Sequence, residues 1–208
     1  MGKVQDEYSR VAPVYDLLLH PWLAGMRRET ASLLSDRGVY SVVDLCCGTG
    51  AQCRRLAEQG LTACGVDDSP SMLRQARQKK GSCEEYYLED AAATHFPERA
   101  FDAAIISFAL HEKPRQQQAD ILSEARRIVS IQGLLALVDF RPHAAESLPF
   151  GWLVRLVERG MGRAHYRHFQ AFLQAGGLPA LLSENGLETF QFKAFSRLPA
   201  ELRLARNR

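Results

Sequence analysis

Three carboxylates, Asp44, Asp67 and Asp90, lie within, at the end of or just after short runs rich in strand-forming residues. The most informative run is Val42-Val43-Asp44-Leu45-Cys46-Cys47-Gly48-Thr49-Gly50. It reads as a strand feeding a tight turn that opens a helix. Glycine at such a turn lets the backbone approach a ligand closely, and the N–H groups of the helix start face that ligand. The dinucleotide fingerprint Gly-x-Gly-x-x-Gly does not fit, because Cys53 stands where its third glycine belongs and Asp44 would repel a pyrophosphate. A cationic or zwitterionic ligand suits Asp44 better. Gly65-Val66-Asp67 ends a second apolar run 23 residues after Asp44. That spacing puts a carboxylate at the carboxyl end of the neighbouring strand, where it can accept both hydroxyls of a ribose. Two such acids favour a nucleoside carrying an amino acid. After a third run, Asp90-Ala91 supplies an acid and a small residue where an adenine edge could lie.

A second cluster lies far along the chain, in Arg163-Ala164-His165-Tyr166-Arg167-His168-Phe169. His165 and His168 are three apart and share one helix face, a spacing that can hold a metal or, with Tyr166, an acidic or phenolic acceptor. The sequence offers no evident third ligand, so no metal is expected and His165 with Tyr166 is read as substrate-binding. Cys46 and Cys47 are adjacent on a tight turn and should point apart, which reads as packing and not as a thiol metal site.

Alternating strand and helix patterns must position these groups. Strands are expected at 41–46, 62–66, 84–88, 101–107, 133–140 and 187–194, and helices at 51–59, 69–80 and 115–129. Ser69 is a natural N-cap with Pro70 in the first turn. Two helical stretches, 5–19 and 21–36, precede the first strand as a cover, and a helical insert at about 145–186 follows the fifth as a lid over the carboxyl edge of the sheet. Phe150, Leu153, Val154, Val157 and Met161 give that insert an apolar stripe, and Arg155, Arg159, Arg163 and Arg167 a basic face that could rest on anionic lipid. The tail, 202–208, reads as a final edge strand that frays, its three arginines needing no partner. The alternation implies a largely parallel α/β sheet, and the absence of a long linker implies one domain over 1–208.

The chain has 208 residues with 26 Lys and Arg against 24 Asp and Glu, 46% of residues hydrophobic and 24% charged. This composition excludes wholesale disorder, and the small net charge of +2 argues against a nucleic-acid backbone as the main partner. Five cysteines, an odd count, read as reduced thiols of a cytoplasmic protein. Asp6 and Glu7 break any apolar core in the first ten residues, so no secretory signal is expected there, and the apolar runs are too short to span a bilayer.

Asp44 to Gly50, Gly65-Val66-Asp67-Asp68-Ser69-Pro70-Ser71-Met72-Leu73, Asp90-Ala91 and Phe101-Asp102 together resemble a Rossmann-like (class I) S-adenosylmethionine-dependent methyltransferase. The resemblance covers about Tyr8 to Phe195. Tyr8-Ser9-Arg10-Val11-Ala12-Pro13-Val14-Tyr15-Asp16 is similar to the entry segment of the ubiquinone and menaquinone biosynthesis methyltransferases. It implies a seven-stranded, mostly parallel sheet with helices on both faces, and methylation of a small organic acceptor at oxygen, carbon or nitrogen. Asp44, Gly48 and Gly50, with the Cys46 backbone, would hold the methionine end. Asp67, with Asp68 beside it, would take the ribose, Met72 would pack near the adenine, and Asp90 with Ala91 would read its edge. Ser107 and Phe108 would flank the sulfonium, and Tyr8 and Tyr15 would cover the cofactor. His111, just past the fourth strand, is the candidate general base, because that segment borders the methyl in this fold and imidazole has a suitable unperturbed pKa. Its structural alternative is an anchor for the next helix. Cys46 departs from the glycine many members carry, and Leu110-His111-Glu112 replaces the Arg-Asn type pair of the quinone enzymes. The competing reading is a non-catalytic protein that binds S-adenosylmethionine for regulation.

Overall fold

Strand and helix alternate as the sequence pattern requires, in two units, Met1–Thr94 and His95–Arg208. The computed structural model describes residues 12–79, 81, 84–142, 162–195 and 199–208, with side chains from residue 23 onward. Tyr8, Phe150, Trp152, Arg155 and Arg159 lie outside the described residues, as do the remaining lid positions 143–161. Tyr15 lies on a described helix, but its side chain does not belong to the described set.

In the first unit, α1 (Ala12–Ser35) precedes β1 (Ser41–Leu45), α2 (Ala51–Glu58), β2 (Thr62–Asp67), α3 (Pro70–Gln78) and β3 (Glu84–Leu88). The expected pair of N-terminal helices is one helix that continues through Pro21. A proline there removes one backbone hydrogen bond, which a long helix tolerates as a local defect. β1 pairs with β2 and β2 with β3, all parallel, in a register that aligns Asp44 with Gly65 and Asp67 with Leu88. Val42, Val43, Leu45 and Val66 are fully buried, the near-continuous apolar content of strands covered on both faces. α3 begins as read, the Ser69 hydroxyl accepting the Met72 N–H at 3.2 Å with Pro70 in the first turn.

The second unit contains β4 (Phe101–Ser107), a single 3-10 turn at Leu110–Glu112, α4 (Arg115–Ile128), β5 (Val129–Phe140), α5 (Arg163–Gln174), α6 (Gly177–Glu184), β6 (Thr189–Ala194) and β7 (Ala200–Arg206). β4 and β5 are parallel, while β7 runs antiparallel to both β5 and β6. The seven strands take the order β3-β2-β1-β4-β5-β7-β6, a mostly parallel Rossmann-like sheet. Gln118 ties the start of α4 to the turn before it, donating to the Leu110 and Lys113 carbonyls at 2.8 and 2.9 Å.

The C-terminal tail differs from its sequence reading. β7 is an interior strand between β5 and β6, with Leu202, Leu204 and Ala205 buried. It does not fray: the Asn207 amide donates to the Arg126 and Val129 carbonyls at 2.8 and 2.7 Å, and the Asn207 N–H reaches the Gly133 carbonyl at 2.9 Å. Its three arginines have partners as well. Arg203 donates to Glu201 at 3.0 Å and lies 4.8 Å from the centre of the Phe192 ring. Arg206 lies 4.9 Å from the Phe190 ring centre, and Arg208 pairs with Glu188 at 2.7 Å. Pairing on both sides buries the strand whatever the polarity of its alternate residues.

β5 starts four residues earlier than expected, because its irregular opening, with Gln132 at φ 66°, is held by Asn207. A Cβ added at Gly133 would come within 2.6 Å of the Asp102 carbonyl oxygen, a backbone atom that cannot rotate away. Gly133→Ala should therefore destabilise the protein by about 1–3 kcal/mol, the usual cost of overpacking, read as a lower urea midpoint at unchanged m-value.

Candidate active site

The ends of β1 and β2 bring two loops together around one carboxylate. Asp67 Oδ2 accepts the Gly48 N–H at 2.8 Å and Oδ1 accepts the Ser69 N–H at 2.9 Å. The carboxylate thus stands between the glycine turn and the start of α3, at the carboxyl ends of β1 and β2. The Cys47 N–H donates to the Val66 carbonyl at 2.9 Å and the Gly50 N–H to the Cys47 carbonyl at 3.0 Å, closing the turn. Gly48 and Gly50 have φ of 55° and 69°, conformations glycine adopts without strain. Gly50 has a steric reason too, since a Cβ there would meet the Tyr86 ring, whose hydroxyl donates to the Gly50 carbonyl at 3.4 Å.

Asp44 is buried at the foot of this turn. Its Oδ2 accepts a hydrogen bond from the Cys53 thiol at 3.6 Å, and its Oδ1 has no hydrogen-bond partner among the described residues. Burial pushes its carboxyl up to about 7; the Cys53 hydrogen bond and the Arg27 charge pull it down more weakly, and Asp67 adds to the rise. Such a group gains from a cation that arrives with a ligand. Burial also raises the Cys47 and Cys64 thiols well above their ordinary range, so both are protonated packing groups at neutral pH. None of the four described cysteines is in a disulfide.

Other sequence-selected residues of this unit have unequal standing. Met72 and Ala91 are buried, whereas Asp68 and Asp90 are exposed. Asp90 Oδ1 accepts the Ala92 N–H at 2.9 Å, fixing the turn after β3. Cys46 has φ 61°, which explains why glycine suits this position.

In the second unit, Ser107 ends β4 and Phe108 follows it. The Ser107 hydroxyl is buried without a hydrogen-bond partner among the described residues, and Phe108 sits at φ 53° with its N–H on the Val138 carbonyl. His111 is buried, its Nδ1 2.7 Å from Asp139 Oδ1 and its backbone N–H 3.2 Å from Asp139 Oδ2. Asp139 also accepts the Phe140 N–H at 2.8 Å. The carboxylate therefore fixes the ring and turns Nε2 away from β5, the arrangement of a base oriented by a third group. Phe140 and Phe169 meet the imidazole edge to face at 4.9 and 5.7 Å between centroids.

The expected His165/His168 face is present, and both rings converge on Glu112. His168 Nδ1 lies 2.9 Å from the Glu112 carbonyl oxygen and His165 Nδ1 3.5 Å from Glu112 Oε2. Tyr166 is half-buried, its hydroxyl accepting from Gln170 at 3.0 Å. Asp139 and Glu112 were missed as functional groups from the sequence. Asp139 had one legible sign, a lone acid following the apolar run Leu134 to Val138.

Residues 42–133 match the family described as a methyltransferase domain. The chain is 34% identical over 144 residues to a demethylmenaquinone methyltransferase of Thermus thermophilus, covering 65% of this chain and 64% of that protein. It is 31% identical over 146 residues to the protein of the same name from Listeria welshimeri, covering 66% and 59%. The chain thus matches about three fifths of the length of these relatives. A solved protein of Pyrococcus horikoshii OT3 has the same fold, with TM-score 0.70 at 19% identity over 96% of this chain and 98% of that one. So does the magnesium protoporphyrin IX methyltransferase of Synechocystis PCC 6803, solved with bound S-adenosylhomocysteine, with TM-score 0.63 at 19% identity over 88% and 82%.

Two stability outcomes follow from this geometry. Burial raises the folded Asp44 carboxyl from its ordinary 3.8 to about 7, so the folded state holds an extra proton between these values and loses stability as pH rises toward 7. Asp44→Asn should remove that decline, leaving the ligand-free variant more stable than the parent at pH 8 by on the order of 3–4 kcal/mol and nearly equal to it at pH 4. Cys46→Gly should raise stability by about 1 kcal/mol by relieving the left-handed backbone, measured by denaturant titration.

Proposed function

We propose that this chain, a relative of the demethylmenaquinone methyltransferases with a methyltransferase domain at residues 42–133, is an S-adenosylmethionine-dependent methyltransferase acting on a small organic acceptor. The observation that carries this reading is the Asp67 carboxylate, which binds the glycine turn and the start of α3 at the end of β2, the position from which a carboxylate accepts ribose hydroxyls. Asp44 complements it. A buried carboxylate poised near neutrality is stabilised as an anion by the ammonium or sulfonium of the cofactor, whereas a pyrophosphate would be repelled.

Residues Asp44, Cys46, Gly48 and Gly50 serve the methionine end, Asp67 and Asp68 the ribose, and Met72, Asp90 and Ala91 the adenine. Ser107 and Phe108 serve the sulfonium, and Tyr8 and Tyr15 the cover. The reaction is a direct displacement: the acceptor's nucleophilic atom forms a bond to the methyl carbon as the carbon–sulfur bond breaks, its electron pair staying on sulfur to give S-adenosylhomocysteine. Alignment and exclusion of water supply most of the acceleration. His111 takes the proton of an acceptor that arrives protonated. The Asp139 contact supports that role, because it presets the tautomer and ring orientation before the acceptor binds. His165 and Tyr166 contact the acceptor. The acceptor is a small molecule bound without nucleic acid, in one catalytic domain over 1–208 that works in the cytoplasm. No described helix is long and apolar enough to cross a membrane.

Calorimetric titration with S-adenosylhomocysteine tests the cofactor assignment. Saturable binding should be seen with the parent protein and with His111→Ala, and should be lost in Asp67→Ala, while a nicotinamide dinucleotide gives no heat. A folded parent protein that fails to bind, or equal binding by Asp67→Ala, overturns it. With an acceptor in hand, His111→Ala should lower turnover by about 10²–10⁴-fold at unchanged cofactor affinity, and unchanged turnover would remove the base.

A further inference from the structure

We propose that His111, Glu112 and His165 form a binding site for a divalent transition-metal ion of the zinc type, independent of the cofactor. One potential ligand atom from each residue lies within 4.8 Å of the other two. Two imidazoles and one carboxylate are a donor set used at catalytic zinc centres, where three protein ligands leave a fourth position open. Ligand atoms around such an ion stand about 3.4 Å apart, as metal–ligand bonds near 2.1 Å in a tetrahedron require. The His165–Glu112 pair, at 3.5 Å, already meets that spacing.

The surroundings add to the donor set. Asp139 holds His111 Nδ1 at 2.7 Å, which makes Nε2 the ligating nitrogen and supplies the carboxylate–histidine support that metal-bound imidazoles commonly have. His168 holds the Glu112 backbone through its carbonyl at 2.9 Å, so both the 3-10 turn and α5 present their ligands from a fixed frame. The Glu112 and His165 side chains are 12% and 10% exposed, enough to admit an ion without leaving the ligands fully hydrated. Lys113 pairs with Glu112 Oε1 at 3.3 Å, and Oε2 is the oxygen that faces His165. Phe140 and Phe169 wall the imidazole on its apolar side. An ion bound to Nε2 occupies the nitrogen assigned to proton uptake, so loading and base catalysis exclude one another at this residue.

The test uses the full chain, freed of metal with a chelator and titrated with cobalt(II) under reducing conditions, with zinc(II) stoichiometry measured by equilibrium dialysis. One ion per chain and visible cobalt bands of a four- or five-coordinate site are expected. His165→Ala and Glu112→Gln should lose the bands, Asp139→Asn should weaken binding by about 10–100-fold, and His95→Ala should match the parent. An unchanged six-coordinate cobalt spectrum, equal binding by His165→Ala, or a sulfur-to-cobalt charge-transfer band marking a thiol site each overturns the proposal. S-adenosylhomocysteine titration of the same samples separates the two readings, because loss of the cofactor site leaves the cobalt bands in place and loss of the metal site leaves the cofactor isotherm in place.

Discussion

One carboxylate organises the first unit. Asp67 accepts an N–H from the turn after β1 and another from the turn after β2, so two loops that could otherwise move separately share an acceptor. Hydrogen bonds to an ionised group are roughly twice as strong as neutral ones, and here the donors are backbone groups whose removal would change the path of the chain. The parallel register that sets Asp67 beside Leu88 and Asp44 beside Gly65 delivers both acids to one end of the sheet. Asp67 accepts two backbone N–H groups, while Asp44 accepts the Cys53 thiol and is pushed by burial up to about 7.

The second unit repeats the theme with a different partner. Asp139 enters the end of β5 after an apolar run and collects the His111 ring, the His111 N–H and the Phe140 N–H. An acid so deep is tolerated because its lone pairs are used. The sequence reading set a catalytic His111 against a structural anchor. The geometry contains both functions, since the contact that anchors the backbone also orients the ring.

How much was legible follows the range of the interactions. Strand and helix identities came from local periodicity, and the α3 start from Ser69 and Pro70, so most of these bounds were readable to within two residues, the start of β5 and the single N-terminal helix being the exceptions. The left-handed backbone at Cys46 was visible only as a departure from a glycine, and its meaning needed φ. Long-range partners left little trace. Nothing near Asn207 in sequence signals that its amide holds the opening of β5 some 75 residues away, and the tail read as an edge because pairing on its second side depends on β6. The spacing of His165 and His168 gave a shared helix face but not the Glu112 that both meet, because that residue sits on another element.

The central claim is that the turns joined by Asp67 hold the nucleoside and amino-acid ends of an S-adenosylmethionine-type ligand. A crystal structure of the protein grown with S-adenosylhomocysteine tests it most directly. The account predicts both ribose hydroxyls within hydrogen-bond distance of the Asp67 carboxylate and the ligand's ammonium on the Asp44 side of the Gly48–Gly50 turn. A ligand bound elsewhere, or one whose ribose leaves Asp67 untouched, would contradict it.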